Sequence, residues 1–264
     1  LYFFIVKRGL VFLLVILILI LITVNYYWMD SFIVKTFNES ESGIVTRIVD
    51  GDTVIIGNQS VRLLGINTPE RGEKYYSEAK NYTEAILFNK NVTLEFGKER
   101  YDLYKRELAY IYLNDELFNI QLIEKGYANV YFPSGKDKYY DDFLSSWYDC
   151  MNKSINLCRK SQDYCSQCII LRELDVKKQT IAFYNKCDFN CSLNGWTIKD
   201  EGRKKFTFRN FMLNPGDELK IIVGNKTNND NILYWRGEDY VWTKTGDSLF
   251  LRDERNDLIL FRNY

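Results

Sequence analysis

Three short segments concentrate the residues able to do chemistry. They are Asp50-Gly-Asp-Thr-Val54, Val61-Arg-Leu-Leu-Gly-Ile-Asn-Thr-Pro-Glu70 and Asp102-Leu-Tyr-Lys-Arg-Glu-Leu-Ala-Tyr110. They supply carboxylates and arginines but no imidazole, because the 264 residues include no histidine. That absence excludes Ser-His-Asp and Cys-His nucleophilic catalysis, His-ligated zinc and any imidazole general base. What remains is carboxylate, arginine, hydroxyl or thiol chemistry, or a hard metal ion. Arg62 and Arg106 carry planar, permanently charged forks that match phosphate oxygens. Hydrolysis of a phosphodiester needs such cations, a positioned water and a metal to offset developing charge. Taken singly each segment is weak: a lone Asp-Gly-Asp is usually a hairpin turn, and Thr-Pro-Glu before a helix is usually a cap.

The surrounding pattern shows what must position these groups. Ile44–Val49, Thr53–Ile56 and Val61–Ile66 read as strands, broken by Asp50-Gly-Asp52 and by Gly57-Asn58. Tyr75, Ala79, Tyr82 and Ile86 fall at helical spacing, so an amphipathic helix is expected over Glu73–Phe88. Val92–Phe96 and Leu108–Leu113 supply two more strands. Helices follow near Leu117–Lys125, stopped by Gly126, and near Lys136–Trp147. Five short strands with helices after the third and fifth predict a small α+β barrel of the OB type.

In this order and at these intervals the three segments resemble the staphylococcal-nuclease (thermonuclease) family, over about 43–147. That family carries a DGDTV turn, an RLLGxDTPE segment and a DxYGRxLAY segment. The resemblance implies that Arg62 and Arg106 clamp the scissile phosphate and that Glu70 orients or deprotonates the attacking water. It also implies a calcium ion held by Asp52 and the Thr68 carbonyl, with Asp50 in support. Other divalent ions would also suit an all-oxygen site. The substrates implied are DNA and RNA, cut with little sequence preference to leave 3′-phosphates. Two positions depart from the pattern. Asn67 stands where a metal-binding aspartate is usual, which implies weaker calcium affinity or a shifted metal preference. Lys105 replaces the glycine before Arg106, as a neighbouring phosphate contact or a solvated charge.

Charge limits how such a site finds its substrate. Residues 43–148 hold 13 Lys+Arg and 16 Asp+Glu, a net of −3, whereas a binder relying on broad electrostatics is basic. Binding must then depend on the local cluster Lys98, Arg100, Lys105 and Arg106, with Tyr104, and Tyr127 or Tyr131, available for base stacking.

The flanking segments place this unit in a longer plan. Residues 9–29 contain no charge; as a helix they reach about 31 Å, enough to cross a bilayer. Lys7 and Arg8 precede the run, and Tyr26, Tyr27 and Trp28 follow it. A signal anchor over 1–30 is therefore expected, with the N-terminus cytoplasmic and everything after Asp30 exported; a cleaved signal is the alternative. A polar stalk spans 31–42. All six cysteines, Cys150, Cys158, Cys165, Cys168, Cys187 and Cys191, fall in one stretch, as disulfides of an oxidising compartment would. Cys150–Cys168 marks a linker, 149–168, which structural zinc could also explain, and Cys187 with Cys191 could form a local bridge. The pairing is not readable from spacing.

From 169 to 264 short apolar runs alternate with turns, which predicts an all-β sandwich. Leu193-Asn-Gly-Trp-Thr-Ile-Lys-Asp200, Lys205-Phe-Thr-Phe208, Leu213-Asn-Pro-Gly-Asp217 and Gly246-Asp-Ser-Leu-Phe-Leu-Arg-Asp253 resemble the lamin-tail domain, an immunoglobulin-like fold. No catalytic residue carries over from it, and its protein partners are not identifiable. Its basic turn Arg203-Lys-Lys205 reads as a solvated hairpin tip rather than a nucleic-acid contact. The reading as a whole is a membrane-anchored, extracytoplasmic nuclease. Its rivals are a binding module for DNA uptake or adhesion that has lost turnover, and a structural surface protein.

Overall fold

The Asp50–Thr53 turn is the first corner of a closed barrel. The computed structural model describes residues 14–18, 21, 23 and 40–264. Strand β1 (Ser40–Ile48) pairs antiparallel with β2 (Thr53–Ile56), and β2 with β3 (Gln59–Leu63). After β4 (Gly65–Asn67) and helix α1 (Tyr76–Leu87) come β5 (Asn91–Tyr101) and β6 (Glu107–Leu113), which pair antiparallel. β5 lies beside β1, and a parallel β3–β6 pairing closes a five-stranded barrel, as an OB fold requires. β7 (Glu116–Leu117), α2 (Phe118–Glu124), β8 (Asn129–Tyr131) and α3 (Tyr140–Lys153) complete this part. Val54, Val61, Leu63, Ala109 and Ile111 fill its centre, each almost fully buried.

The expected strand Val61–Ile66 is in fact two strands. Gly65 adopts φ 76°, and a Cβ there would lie 2.5 Å from Cε1 of Phe143. Only glycine meets both conditions. Beyond this kink β4 leaves the barrel and pairs with β8, Asn67 opposite Asn129. The break thus directs the segment from Asn67 to Glu70 away from the barrel ladder.

The C-terminal part contains β9 (Ile169–Asp175), β10 (Thr180–Asn185), β11 (Cys191–Ser192), β12 (Thr197–Lys199), β13 (Lys205–Thr207), β14 (Met212–Leu213), β15 (Glu218–Val223), β16 (Ile232–Trp235), β17 (Ser248–Arg252) and β18 (Leu258–Asn263). Two four-stranded sheets, ordered β16-β15-β10-β9 and β13-β12-β17-β18, enclose a second core around Trp196, Phe183, Phe208 and Trp242. The cysteines form three disulfides, Cys150–Cys158, Cys165–Cys191 and Cys168–Cys187. No thiol is left for zinc, and the local Cys187–Cys191 bridge is corrected. Cys187 and Cys191 each reach back to the residues before β9, tying the open end of the β9–β10 hairpin.

Residues 42–264 form one unit rather than two bodies on a tether. Trp147 of α3 is fully buried against Phe250 and Phe261 of the sandwich, with ring centroids 5.5 and 5.6 Å apart. Arg252, also buried, donates to the carbonyls of Leu157 (2.6 Å) and Asn256 (3.1 Å). The residues expected to be a linker are therefore packed structure. Of the N-terminal residues described, 14–18, 21 and 23 are helical. Among the described residues no helix is long and apolar enough to cross a membrane. The span expected at 9–29 falls mostly outside them, as does most of the stalk at 31–42.

Because the barrel core takes in Phe250 and Leu258 of the sandwich beside Trp147, Trp147→Ala should destabilise the unit by about 3–5 kcal/mol. Denaturant unfolding should show one transition, shifted as a whole. Two transitions, with only the barrel's moved, would contradict a shared core.

Candidate active site

Asp52 is the hub of the site, and the local fold builds it tightly. Gly51 lets the acidic turn approach α1: a Cβ there would meet the Thr68 Cγ2 at 2.8 Å and the Ala79 Cβ at 2.9 Å. Thr83 of α1 donates its hydroxyl to the Gly51 carbonyl at 2.7 Å. One oxygen of the buried Asp52 carboxylate pairs with Nη1 of Arg62 at 3.0 Å and accepts from the Thr53 hydroxyl at 3.3 Å. The other accepts from the Thr68 amide at 2.7 Å and its hydroxyl at 2.8 Å.

Arg62 lies on β3 opposite Thr53 of β2, which explains the short reach. Its guanidinium is buried and surrounded by oxygens. Nη1 also donates to the Leu63 carbonyl at 3.0 Å, and Nη2 to the Ile66 carbonyl at 3.0 Å and to Oδ1 of Asn67 at 3.2 Å. Arg106 is half-buried and braced by Asp102, which takes its Nε and Nη2 at 2.7 Å. The same carboxylate accepts the backbone N–H groups of Tyr104 and Arg106 at 2.9 Å. Burial alone would raise the Asp102 carboxyl, but the bonds from Arg106 prevail and hold it below its ordinary value. Arg106 reaches Asp52 through Thr53, whose hydroxyl lies 3.4 Å from Nη1. The two arginines and Asp52 are thereby one hydrogen-bonded constellation.

The remaining expected residues sort themselves around this hub. Asp50 is half-buried and accepts the Asp52 amide at 3.2 Å. Burial, and then the Asp52 charge, push its carboxyl up to about 6. Glu70 is exposed and joins none of these groups directly; its carboxylate meets Arg203 of the sandwich at 2.9 Å. Tyr104 is exposed, its ring 5.4 Å from the Arg106 guanidinium. Lys105 takes φ 63°, which accounts for the glycine usual at this place. Arg100 stacks on Phe96 at 3.9 Å and pairs with Glu107 at 3.1 Å, so it braces the β5–β6 hairpin. Tyr127 packs against Tyr82, with centroids 5.5 Å apart.

Sequence reasoning missed three kinds of residue. Asp102 was visible as the i,i+4 partner of Arg106 within a quoted segment. Glu73, whose carboxylate caps the Glu70 amide at 3.0 Å and faces Lys199 and Lys205, had only a helix-start signal. The third kind comes from the second domain. Asn67 donates through Nδ2 to the carbonyls of Glu201 (3.3 Å) and Gly202 (3.0 Å), and Phe132 donates its amide to the Glu201 carboxyl at 3.3 Å. The turn Asp200–Lys204 between β12 and β13 thus lies on the site, and its Arg203 side chain is exposed there, as expected of a solvated tip.

A closed OB-type barrel with an acidic turn, an arginine on β3 and a second just before the adjoining β6 defines the class of this domain. The family model described as Staphylococcal nuclease homologue matches residues 60–157, and the Lamin Tail Domain model matches 166–264. A thermonuclease of Staphylococcus intermedius is 37% identical over 127 residues, covering 44% of this chain and 76% of that protein. A thermonuclease of Staphylococcus hyicus is 36% identical over 107 residues, covering 37% and 63%. An uncharacterized endonuclease of Haemophilus influenzae is 33% identical over 102 residues, covering 36% and 56%. The chain belongs to the staphylococcal nuclease homologue family and ends in a lamin tail domain.

The family implies a divalent cation, and the donor chemistry fits one. Oxygens of Asp52, Asn67, Leu63 and Ile66 already converge on a positive charge, that of Arg62, and Asp50 adds a second carboxylate beside Asp52. Hard oxygen donors of this kind suit calcium. Among the described residues no three of His, Cys, Asp and Glu are grouped to hold a metal; carbonyl and amide oxygens would have to complete the shell.

The Asn67 contacts explain the departure from aspartate at that position. Nδ2 faces two carbonyl oxygens, so a carboxylate there would leave both without a donor. Asn67→Asp should destabilise the metal-free unit by about 1–3 kcal/mol, read as a lower thermal midpoint; an unchanged midpoint would contradict the assignment. The same seam has a pH signature. Burial, and then the Asp247 charge, push Asp200 up to about 7 and Glu201 up to about 8. Both values lie above those of an unfolded chain, near 4. The stability these groups contribute is complete below about pH 4 and is lost as pH rises through 7 and 8. The thermal midpoint should therefore fall between pH 6 and pH 9, and a flat or rising profile would count against it.

Proposed function

We propose that this chain is a calcium-dependent nuclease that hydrolyses phosphodiester bonds of DNA and RNA with low sequence specificity. The observation that carries the reading is the bonded set Arg62–Asp52–Thr53–Arg106, in a family whose similar members are named thermonuclease and endonuclease. Asp50, Asp52, Asn67 and the Thr68 carbonyl would hold the ion, which supplies positive charge against phosphate oxygens when bound.

The chain's own residues divide the remaining work. Arg106 is open enough to meet a phosphate and, fixed by Asp102, loses little freedom in doing so. Arg62 sets a second positive charge within the same bonded set. Glu70, exposed on the turn before α1, accepts a proton as water oxygen attacks phosphorus and the ester P–O bond breaks. Tyr104 offers a face for base stacking beside Arg106. The three disulfides support an exported location, and we place the protein as membrane-anchored through residues 9–29, with its catalytic part outside the cytoplasm.

The full-length protein should degrade plasmid and RNA with calcium and stop when a chelator is added. Glu70→Gln should lower kcat by about 10²–10⁴-fold, and Arg106→Lys by about 10²–10³-fold, with folding unchanged by circular dichroism. Binding without cleavage would instead support a non-catalytic nucleic-acid module, and neither activity would support a structural protein.

A further inference from the structure

The barrel's net charge of −3 leaves it short of cations, yet one arginine reaches its site from the other domain. Arg203 sits at the tip of the β12–β13 turn, its Nε 2.9 Å from the Glu70 carboxylate. The turn is fixed on both sides of this residue. On one side Asn67 holds the carbonyls of Glu201 and Gly202, and Phe132 holds the Glu201 carboxyl. On the other, the Lys204 amide closes onto Asp200 at 2.9 Å, and Lys205 faces Glu73 at 3.6 Å. The backbone of Arg203 is therefore placed by the barrel itself.

We propose that Arg203 is a third phosphate-binding cation of the nuclease site, contributed by the lamin tail domain. Nε lies 2.9 Å from a Glu70 oxygen, the two terminal amino groups make no hydrogen bond among the described residues, and the side chain is 66% exposed. Those amino groups form the fork that matches backbone phosphate, and Glu70 places them beside the bond to be cut. This rests on the nuclease reading above. An inhibitory latch is the opposite use of the same contact, and magnitudes decide against it. An exposed ion pair shifts an equilibrium by at most about fivefold, far from the roughly 10⁴-fold bias needed to move a site from open to shut.

The test uses the full-length chain and a labelled single-stranded oligonucleotide. Affinity is measured in chelator across a salt series, and kcat and KM are measured separately with calcium. Arg203→Ala should weaken binding about three- to tenfold and reduce the slope of log affinity against log salt by about 0.7. KM should rise more than kcat falls, and Arg203→Lys should restore most of the slope. Unchanged affinity and slope would reduce Arg203 to a structural contact, and faster cleavage at unchanged affinity would make it a latch; either overturns the proposal. Cleavage by the wild-type chain tests the nuclease reading and the salt slope tests Arg203, so the two can fail independently.

Discussion

The structure of the site depends on one buried ion pair, Arg62 with Asp52. Removing both charges from water is expensive, and their attraction repays it only when every remaining lone pair and proton is used. That condition dictates the neighbourhood. The threonine hydroxyls and the Thr68 amide bond to the aspartate in the metal-free structure, while the Leu63 and Ile66 carbonyls and the Asn67 amide oxygen bond to the guanidinium. Arg106 is drawn in through Thr53, and the kink at Gly65 exists where β4 must leave the barrel with Asn67 on it. The chain contains no histidine, so the charge at this site comes from carboxylates and guanidinium groups alone.

The pair reaches further than the barrel. Asn67 has two ends, and both are committed: its oxygen to Arg62 and its nitrogen to the sandwich. An amide is the one side chain of that size able to accept on one side and donate on the other. Asn67 thereby links the buried ion pair to the second domain. The lamin tail domain shares a core with the barrel at Trp147 and lays a turn against its site.

What was legible in the sequence follows from the range of the interactions involved. The barrel strands, α1 and the three charged segments carry local periodicity or a recognisable order, and they stand close to where they were expected. The break at Leu64–Gly65 was hidden because an apolar run reads the same whether or not it kinks; the reason for the kink is Phe143, far along the chain. Disulfide pairing failed for the same reason: Cys187 lies near Cys191 in sequence, but β10 brings it to Cys168. In sequence Arg203 reads only as a solvated charge, since nothing in a local window shows that the turn has a carboxylate opposite it. At position 105 the positive φ accounts for the glycine usual there, and nothing in the structure explains the lysine.

Arg62 and Asp52 act as a unit, and a double-mutant cycle on unfolding free energy tests this most directly. Asp52→Asn and Arg62→Gln should each cost about 3–5 kcal/mol, because each strands a buried charge. The double variant should cost less than their sum by about 2 kcal/mol or more. Costs that add to within about 0.5 kcal/mol would show two independent residues and contradict the account.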